Sequence, residues 1–233
     1  MKNKSAPRIG LDSITMIITS ESDVTVCLTA CGRPDLLATT LQSFFEFNTY
    51  PIREFMIYED SGTPAVNAEL WRQYPSIKWI GDDVRKGQII AIDTMYQHVK
   101  TKYIFHCEDD WQFYKPGFIE ASKQLMDELS FLCMVWIREK EDTNQHPIIW
   151  QEQYGIMKTN HNGLWGGFCF NPGLRRKSDY DLFGSYNMHA QFNRAKPWKS
   201  EATISKLYCN AGFRAAILKT GYMKHIGVDR HVH

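Results

Sequence analysis

Hydrophobic and polar positions alternate in blocks along most of the chain. Short runs rich in β-branched and aromatic residues predict buried strands at residues 24–29, 55–58, 77–80, 103–107, 131–137 and 215–218. Apolar residues at every third or fourth position predict helices between these strands, from Pro34 onward and over residues 88–99, 116–129 and 200–211. Ser200 is the expected cap of the last helix.

Strands that alternate with helices indicate an α/β fold, with a mostly parallel mixed central sheet flanked by helices. The periodic pattern is lost between residues 138 and 197, which are rich in Gly, Asn and aromatic residues. We interpret this region as loops and short elements around a site. A length of 233 residues suits one domain, 1–233.

Charge and composition exclude several classes of function. The 27 basic residues nearly balance the 26 acidic residues, so no overall positive field attracts the chain to nucleic acid. No apolar run approaches the roughly 20 residues of a transmembrane helix, so we expect no membrane span. The six cysteines are scattered without C-x-x-C spacing, which favours buried free thiols and a cytoplasmic protein.

Acidic residues follow three of the predicted strands, at 59–60, 82–83 and 108–110. Because ligands bind beyond the carboxyl ends of strands in open α/β sheets, we expect these acids to lie together. Gathered carboxylates repel one another unless a cation holds them, and oxygen ligands select Mg²⁺ or Mn²⁺. The alternative is that these acids cap helices or face solvent.

In order and spacing, the motifs of residues 24–110 resemble the nucleotide-binding half of family 2 glycosyltransferases with the GT-A (Rossmann-like) fold. They comprise residues 24–30, Arg33-Pro34, Leu37, Leu41, Ser43, Glu59-Asp60-Ser61-Gly62, Arg85-Lys86-Gly87 and Glu108-Asp109-Asp110. The resemblance implies that the loops after the first two strands hold the nucleoside, and that the acid-x-acid motif holds metal and diphosphate. The nucleotide-binding residues would be Thr29, Ala30, Arg33, Asp60, Arg85, Lys86, Glu108 and Asp109. Asp110, with Glu108, would bind the metal.

The second half, 111–233, would bind the acceptor and supply the base. The segment Gly166-Gly167-Phe168, followed by Phe170-Asn171-Pro172, resembles the acceptor segment of the family, where small residues let backbone approach a sugar, although an ordinary turn is an alternative. The flat apolar face of Trp165, beside the two glycines, could stack on a sugar ring. His225 resembles the late histidine that some GT-A enzymes add as a metal ligand.

Glu201 occupies the place of the catalytic carboxylate of the family. The family usually carries a pair of acids there, whereas Ala202 follows Glu201 in this chain. Asp179 and Asp181 are therefore rival candidates for the base. A glutamate in the first turn of a helix also has a simpler explanation, which is stabilisation of the helix dipole.

The resemblance implies a metal-dependent transfer, with inversion, of a sugar from a nucleotide-diphosphate sugar to a hydroxyl of a carbohydrate or glycoconjugate. UDP is the preferred nucleotide, by family frequency, and Mn²⁺ or Mg²⁺ the cofactor. One alternative is a sugar-nucleotidyltransferase, although the loop after the first strand has too little glycine for that class. A non-catalytic carbohydrate-binding module is the other, favoured by the missing acid after Glu201.

Overall fold

Four parallel strands make up one half of the central sheet. The computed structural model describes residues 17–143, 145–160, 164–190 and 198–230. The four strands are β1 (Val24–Ala30), β2 (Glu54–Glu59), β3 (Lys78–Gly81) and β4 (Tyr103–Glu108). They lie in the order β3-β2-β1-β4 with parallel pairing throughout. Each predicted strand of this half is confirmed, with ends that differ by a residue.

Helices follow the strands as the apolar spacing predicts. They are α1 (Pro34–Phe47), α2 (Ala68–Gln73), α3 (Gln88–Tyr96) and α4 (Phe118–Glu128), of which the short α2 is not among the predicted helices. The apolar face of α1 is buried against the sheet, and two polar residues of the helix are buried with it. Thr40 Oγ1 accepts the N–H of Trp111 at 3.2 Å, and Ser43 Oγ accepts the N–H of Phe113 at 3.1 Å. These bonds fix the backbone that follows the acidic motif onto α1.

Seven further strands complete the structure. They are β5 (Trp111–Phe113), β6 (Leu132–Trp136), β7 (Ile148–Trp150), β8 (Tyr154–Met157), β9 (Gly173–Arg176), β10 (Arg214–Leu218) and β11 (Met223–His225). The large sheet has the order β3-β2-β1-β4-β9-β6-β10-β8-β7, and β5 pairs with β11 separately. Among the described strands of the large sheet, only β8 and β9 run against the others. The sheet is thus mixed and mostly parallel, as expected.

Residues 138–197 contain more regular structure than their pattern predicts. They include β7, β8, β9 and the helix α5 (Lys177–Phe183). Strand β9 lies between β4 and β6, at the middle of the sheet. Gly173 is the first residue of this strand. A Cβ there would lie 2.4 Å from the carbonyl oxygen of Val135, so the close approach of the two strands requires glycine.

The cap predicted at Ser200 is wrong. The last helix, α6 (Trp198–Asn210), begins two residues earlier, so Ser200 lies inside its first turn. Gly212 follows the helix with a φ of +89°, the left-handed conformation in which a glycine commonly ends a helix.

The sheet buries apolar side chains on both faces. One face carries Val26, Leu28 and Phe105 against α1 and α4, and the opposite face carries Cys27 and Met56 against α3. Because both faces are covered, a ligand of this sheet would bind at the carboxyl-terminal edge of the parallel strands, where the loops begin. Residues 59–60 and 108–110 lie at this edge.

Candidate active site

Glu59 joins the loops that follow β1 and β2. Its buried carboxylate accepts the backbone N–H of Gly32 at 2.8 Å and that of Ser61 at 2.9 Å, and it also accepts from the side-chain amide of Asn67. Gly32 has a φ of +68°, a conformation that favours glycine. The sequence analysis assigns no role to Glu59 and gives the nucleoside-binding role to its neighbour Asp60. The signal for Glu59 is an acid at the last position of a buried strand.

Asp60 holds the loop of residues 85–87 over the end of β2. Its carboxylate accepts the N–H groups of Lys86 at 2.7 Å and Gly87 at 2.9 Å. The Nε of Arg85 lies 4.0 Å from Asp60 Oδ2, and the Lys86 ammonium pairs with Asp82 at 2.5 Å. The structure therefore brings Asp60, Arg85 and Lys86 together, as the motif order predicts.

Thr29 and Ala30 end β1 beside these loops, and both are buried. The carbonyl of Ala30 accepts the N–H of Asp60 at 2.8 Å. The two predicted nucleoside-binding segments are thus joined directly.

Arg33 connects the first loop to the acidic motif. Its Nε donates to Asp109 Oδ2 at 3.2 Å, and a second guanidinium N–H also contacts the Asp109 carboxylate. Nη1 donates to Asp110 Oδ2 at 2.8 Å and to the carbonyl of Arg230 at 2.9 Å. One guanidinium thus neutralises two adjacent carboxylates.

Asp110 and His225 meet because β5 and β11 pair. Strand β5 begins directly after Asp110, and His225 lies opposite Trp111 in the antiparallel register. His225 Nε2 is 3.2 Å from Asp110 Oδ2, and the rings of His225 and Trp111 are 5.0 Å apart. A Cβ at Gly227 would clash with Asp110, so glycine lets the C-terminal segment pack on this carboxylate.

The three acids differ in pKa. Burial raises the pKa of Glu108 to about 8, with a further contribution from the charges of Asp110 and Glu201. Burial also raises the pKa of Asp109, to about 6, although Arg33 opposes the rise. At Asp110, burial is outweighed by His225 and Arg33, which hold its pKa below the ordinary value. Asp110 is therefore the acid of the motif that is most readily ionised.

Two of the predicted metal-site residues are in contact, and the third is bound elsewhere. Glu108 accepts from Gln88 Nε2 at 2.8 Å and from the indole N–H of Trp111 at 3.2 Å. Within the described residues, no three His, Cys, Asp or Glu side chains form a metal-ligand group. A carboxylate oxygen beside an imidazole nitrogen nevertheless suits Mn²⁺ or Mg²⁺, when phosphate oxygens and water complete the coordination.

Glu201 lies near the same edge of the sheet, in the first turn of α6. Its Oε2 accepts the backbone N–H of Phe170 at 2.9 Å. Burial raises the pKa of Glu201, while the Phe170 N–H, Arg175 and Arg138 oppose the rise. The negative charge of Glu201 is near enough to Glu108 to contribute to the raised pKa of that acid.

Arg138 is a second residue that the sequence pattern does not indicate. Its buried guanidinium lies over Trp136, 4.3 Å from the ring centroid, and 5.4 Å from that of Trp111. It extends from the carboxyl end of β6, where the irregular region begins, so no periodicity distinguishes it.

The rival bases lie at the opposite end of the sheet. Strand β9 runs against β4, so Arg176 pairs with Tyr103 at the start of β4, and α5 follows there. Asp179 binds Arg176 at 3.2 Å, and Asp181 binds Lys177 on the surface. Neither carboxylate is placed to act beside Asp110.

Gly166 and Gly167 pack on β10. A Cβ at Gly166 would lie 3.0 Å from the carbonyl oxygen of Phe213, and one at Gly167 would lie 2.6 Å from Ala215 Cβ. Trp165 stacks on His146, with centroids 3.9 Å apart. Close packing of this segment on β10 thus gives a structural reason for both glycines, and an acceptor-binding role stays a prediction.

The model of Glycosyl transferase family 2 matches residues 25–196, most of the chain. The chain belongs to this family. The match includes both loops of the nucleotide-binding half and the acidic motif, so the family expected from the motifs is confirmed. No curated protein matches the family 2 domain described here.

Solved glycosyltransferases share the fold. Residues 1–349 of S. aureus TarS in complex with UDP-GlcNAc match with a TM-score of 0.61 and 10% identity, over 90% of this chain and 61% of that one. Mannosyltransferase PcManGT from Pyrobaculum calidifontis, in complex with GDP-Man and Mn²⁺, matches with a TM-score of 0.59 and 14% identity, over 83% and 53%. This family 2 chain therefore spans about three fifths of those proteins or less.

The described part of this family 2 chain contains no helix with the length and apolar character needed to cross a membrane. All six cysteines are free, and all but the half-buried Cys31 are buried. The free cysteines agree with the scattered cysteine spacing of the sequence.

Proposed function

We propose that this family 2 domain transfers a sugar from a nucleotide-diphosphate sugar to a hydroxyl of a carbohydrate or glycoconjugate, with inversion and with a divalent cation. The observation that carries the proposal is the contact of Asp110 with His225 at the carboxyl-terminal edge of the sheet. Ligands of open α/β sheets bind at this edge. We also propose that the protein is cytoplasmic.

The donor would bind across the loops of the 24–110 half. Thr29, Ala30 and Asp60 would bind the nucleoside, and the hydrogen bond that joins Asp60 to Ala30 supports this because it brings the two loops together. The similar structures hold UDP-GlcNAc in one protein and GDP-Man in another. A UDP-sugar is our first choice of donor.

Mn²⁺ or Mg²⁺ would be held by Asp110 and His225. When bound, the cation would offset the negative charge that grows on the departing diphosphate. Arg33 neutralises Asp109 and touches Asp110, so it reduces the repulsion among the acids. Arg85 and Lys86, on the loop held by Asp60, supply positive charge near the phosphates.

Glu201 would act as the base for the acceptor, which the 111–233 half binds. The acceptor oxygen attacks the anomeric carbon, the bond from that carbon to the diphosphate breaks, and the hydroxyl proton passes to Glu201. The N–H of Phe170 orients the carboxylate through Oε2. Trp165, Gly166 and Gly167 are the proposed acceptor-binding segment.

Incubation with Mn²⁺ and a panel of UDP-, GDP- and dTDP-sugars tests the proposal. We expect slow release of nucleoside diphosphate from one nucleotide class, and faster release when the acceptor is supplied. Pyrophosphate-dependent exchange would instead identify a sugar-nucleotidyltransferase. Thermal stabilisation by a nucleotide-sugar without turnover would identify a binding module.

A further inference from the structure

Two consecutive arginines of β9 bind backbone carbonyls, but at different places. Arg175 is 2% exposed, and its Nη2 donates to the carbonyls of Cys169 at 2.7 Å and Asn171 at 3.0 Å. Arg176 reaches instead toward the end of α4, where it donates to the carbonyl of Leu132 at 2.7 Å and that of Leu129 at 3.0 Å.

The carbonyls that Arg175 binds lie on either side of Phe170. The N–H of Phe170 donates to Glu201 Oε2 at 2.9 Å. One guanidinium nitrogen therefore closes the chain of residues 169–171 into a turn, and the N–H at the middle of that turn points at the carboxylate.

Arg175 lies among aromatic side chains, with its guanidinium 5.0 Å from the ring centroid of Phe168 and its Nη1 3.4 Å from the hydroxyl oxygen of Tyr96. In the described part of the chain, no carboxylate lies within ion-pair distance of Arg175, and its Nε has no hydrogen-bond partner. A buried charge without a counter-ion destabilises a fold. Arg176, by contrast, pairs with Asp179 at 3.2 Å.

We infer that Arg175 is a positioning residue for the transfer reaction: it fixes the two carbonyls that flank Phe170 and so aims the Phe170 N–H at Glu201. The inference rests on the proposed role of Glu201 as the base. The positive charge of Arg175 also favours the ionised form of that carboxylate. Arg175 acts through Phe170 and Glu201 and touches neither donor nor acceptor.

Matched substitutions of the two arginines test the inference. R175K keeps the charge but cannot reach both carbonyls, and R175M removes both charge and donors. R176K and R176M are the controls on the neighbouring residue. The measurements are the melting temperature, the affinity for UDP with Mn²⁺, and kcat and KM for the donor that is active in the panel.

We expect kcat to fall about 10-fold in R175K and about 100-fold in R175M, because small displacements of a catalytic group have effects of this order. Donor KM and UDP affinity should stay within about twofold of the wild type in both. R176K and R176M should lower the melting temperature and leave kcat unchanged. The partial rescue by lysine separates positioning from simple packing.

Two results would overturn the inference. One is a kcat within about twofold of the wild type in R175K and R175M. The other is failure of R175K to fold while R176K folds, which would assign Arg175 a purely structural role. E201Q tests the proposed base separately: normal turnover in E201Q removes both ideas, whereas lost turnover in E201Q with normal turnover in both R175K and R175M overturns only the role of Arg175.

Discussion

At the scale of the residue, the proposed chemistry depends on one carboxylate, that of Glu201. E201Q preserves the shape of this side chain and removes its ability to accept a proton. We expect kcat to fall by about 10²–10⁴, the usual contribution of a general base, while UDP affinity in Mn²⁺ is kept. Steady-state kinetics and calorimetry check the two parts, with D181N as the surface control at the opposite end of the sheet.

The pH dependence of kcat provides a second test of the same residue. Burial raises the pKa of Glu201 above its ordinary value. The base form is lost as pH falls through the raised pKa, so the acid limb of the kcat profile should lie above the pKa of an exposed glutamate, about 4.3. The residual activity of E201Q should lack this limb. A wild-type rate that stays constant down to pH 4 would contradict the assignment.

The types of the site residues can be predicted from the sequence, and most of their contacts cannot. The order of Arg33, Asp60 and Asp110 along the chain indicates a nucleotide-sugar site. The bonds from Arg33 to Asp109 and Asp110 span 76 and 77 positions, and no local pattern encodes such pairs. Arg175 illustrates the same limit. Nothing in its sequence context predicts that it is buried, and its burial is seen only in the fold.

At the scale of the element, the loops after β1 and β2 depend on Glu59. E59A would leave three donors without their acceptor: the N–H groups of Gly32 and Ser61 and the buried amide of Asn67. We expect a loss of about 2–3 kcal/mol in the free energy of unfolding, measured by urea denaturation, and weaker binding of UDP.

The matched control for this prediction is E54A, at the first position of the same strand. The half-buried side chain of Glu54 forms a 3.6 Å ion pair with Lys78. Its substitution should change stability by less than about 0.5 kcal/mol. Equal losses in E59A and E54A would show that Glu59 does not hold the loops together.

Elements with a long periodic pattern are the ones that the sequence predicts well. Strand β1 and helix α1 carry enough apolar residues to define their type and buried face. Strand β9 has four residues, Gly-Leu-Arg-Arg, and two of them are charged. Its place is set by pairing with β4 and β6, which lie far away in the sequence, so propensity alone gives no signal for it.

At the scale of the whole molecule, the site collects parts from both halves of the chain. His225 reaches Asp110 across 115 positions because β11 pairs with β5. Glu201 reaches the same edge through α6 and the turn at Phe170. The α/β class could be predicted from the alternation of elements, but this assembly required the pairing of strands remote in sequence.

The most direct test of the account is the affinity of UDP for wild type and D110N, measured by calorimetry with and without Mn²⁺. The account predicts that Mn²⁺ strengthens UDP binding to the wild type by at least about 10-fold, and that D110N abolishes this gain, because Asp110 is the carboxylate that would link the cation to the diphosphate. The surface variant D181N should behave as wild type. Equal UDP affinity in D110N and wild type with Mn²⁺ present would contradict the account.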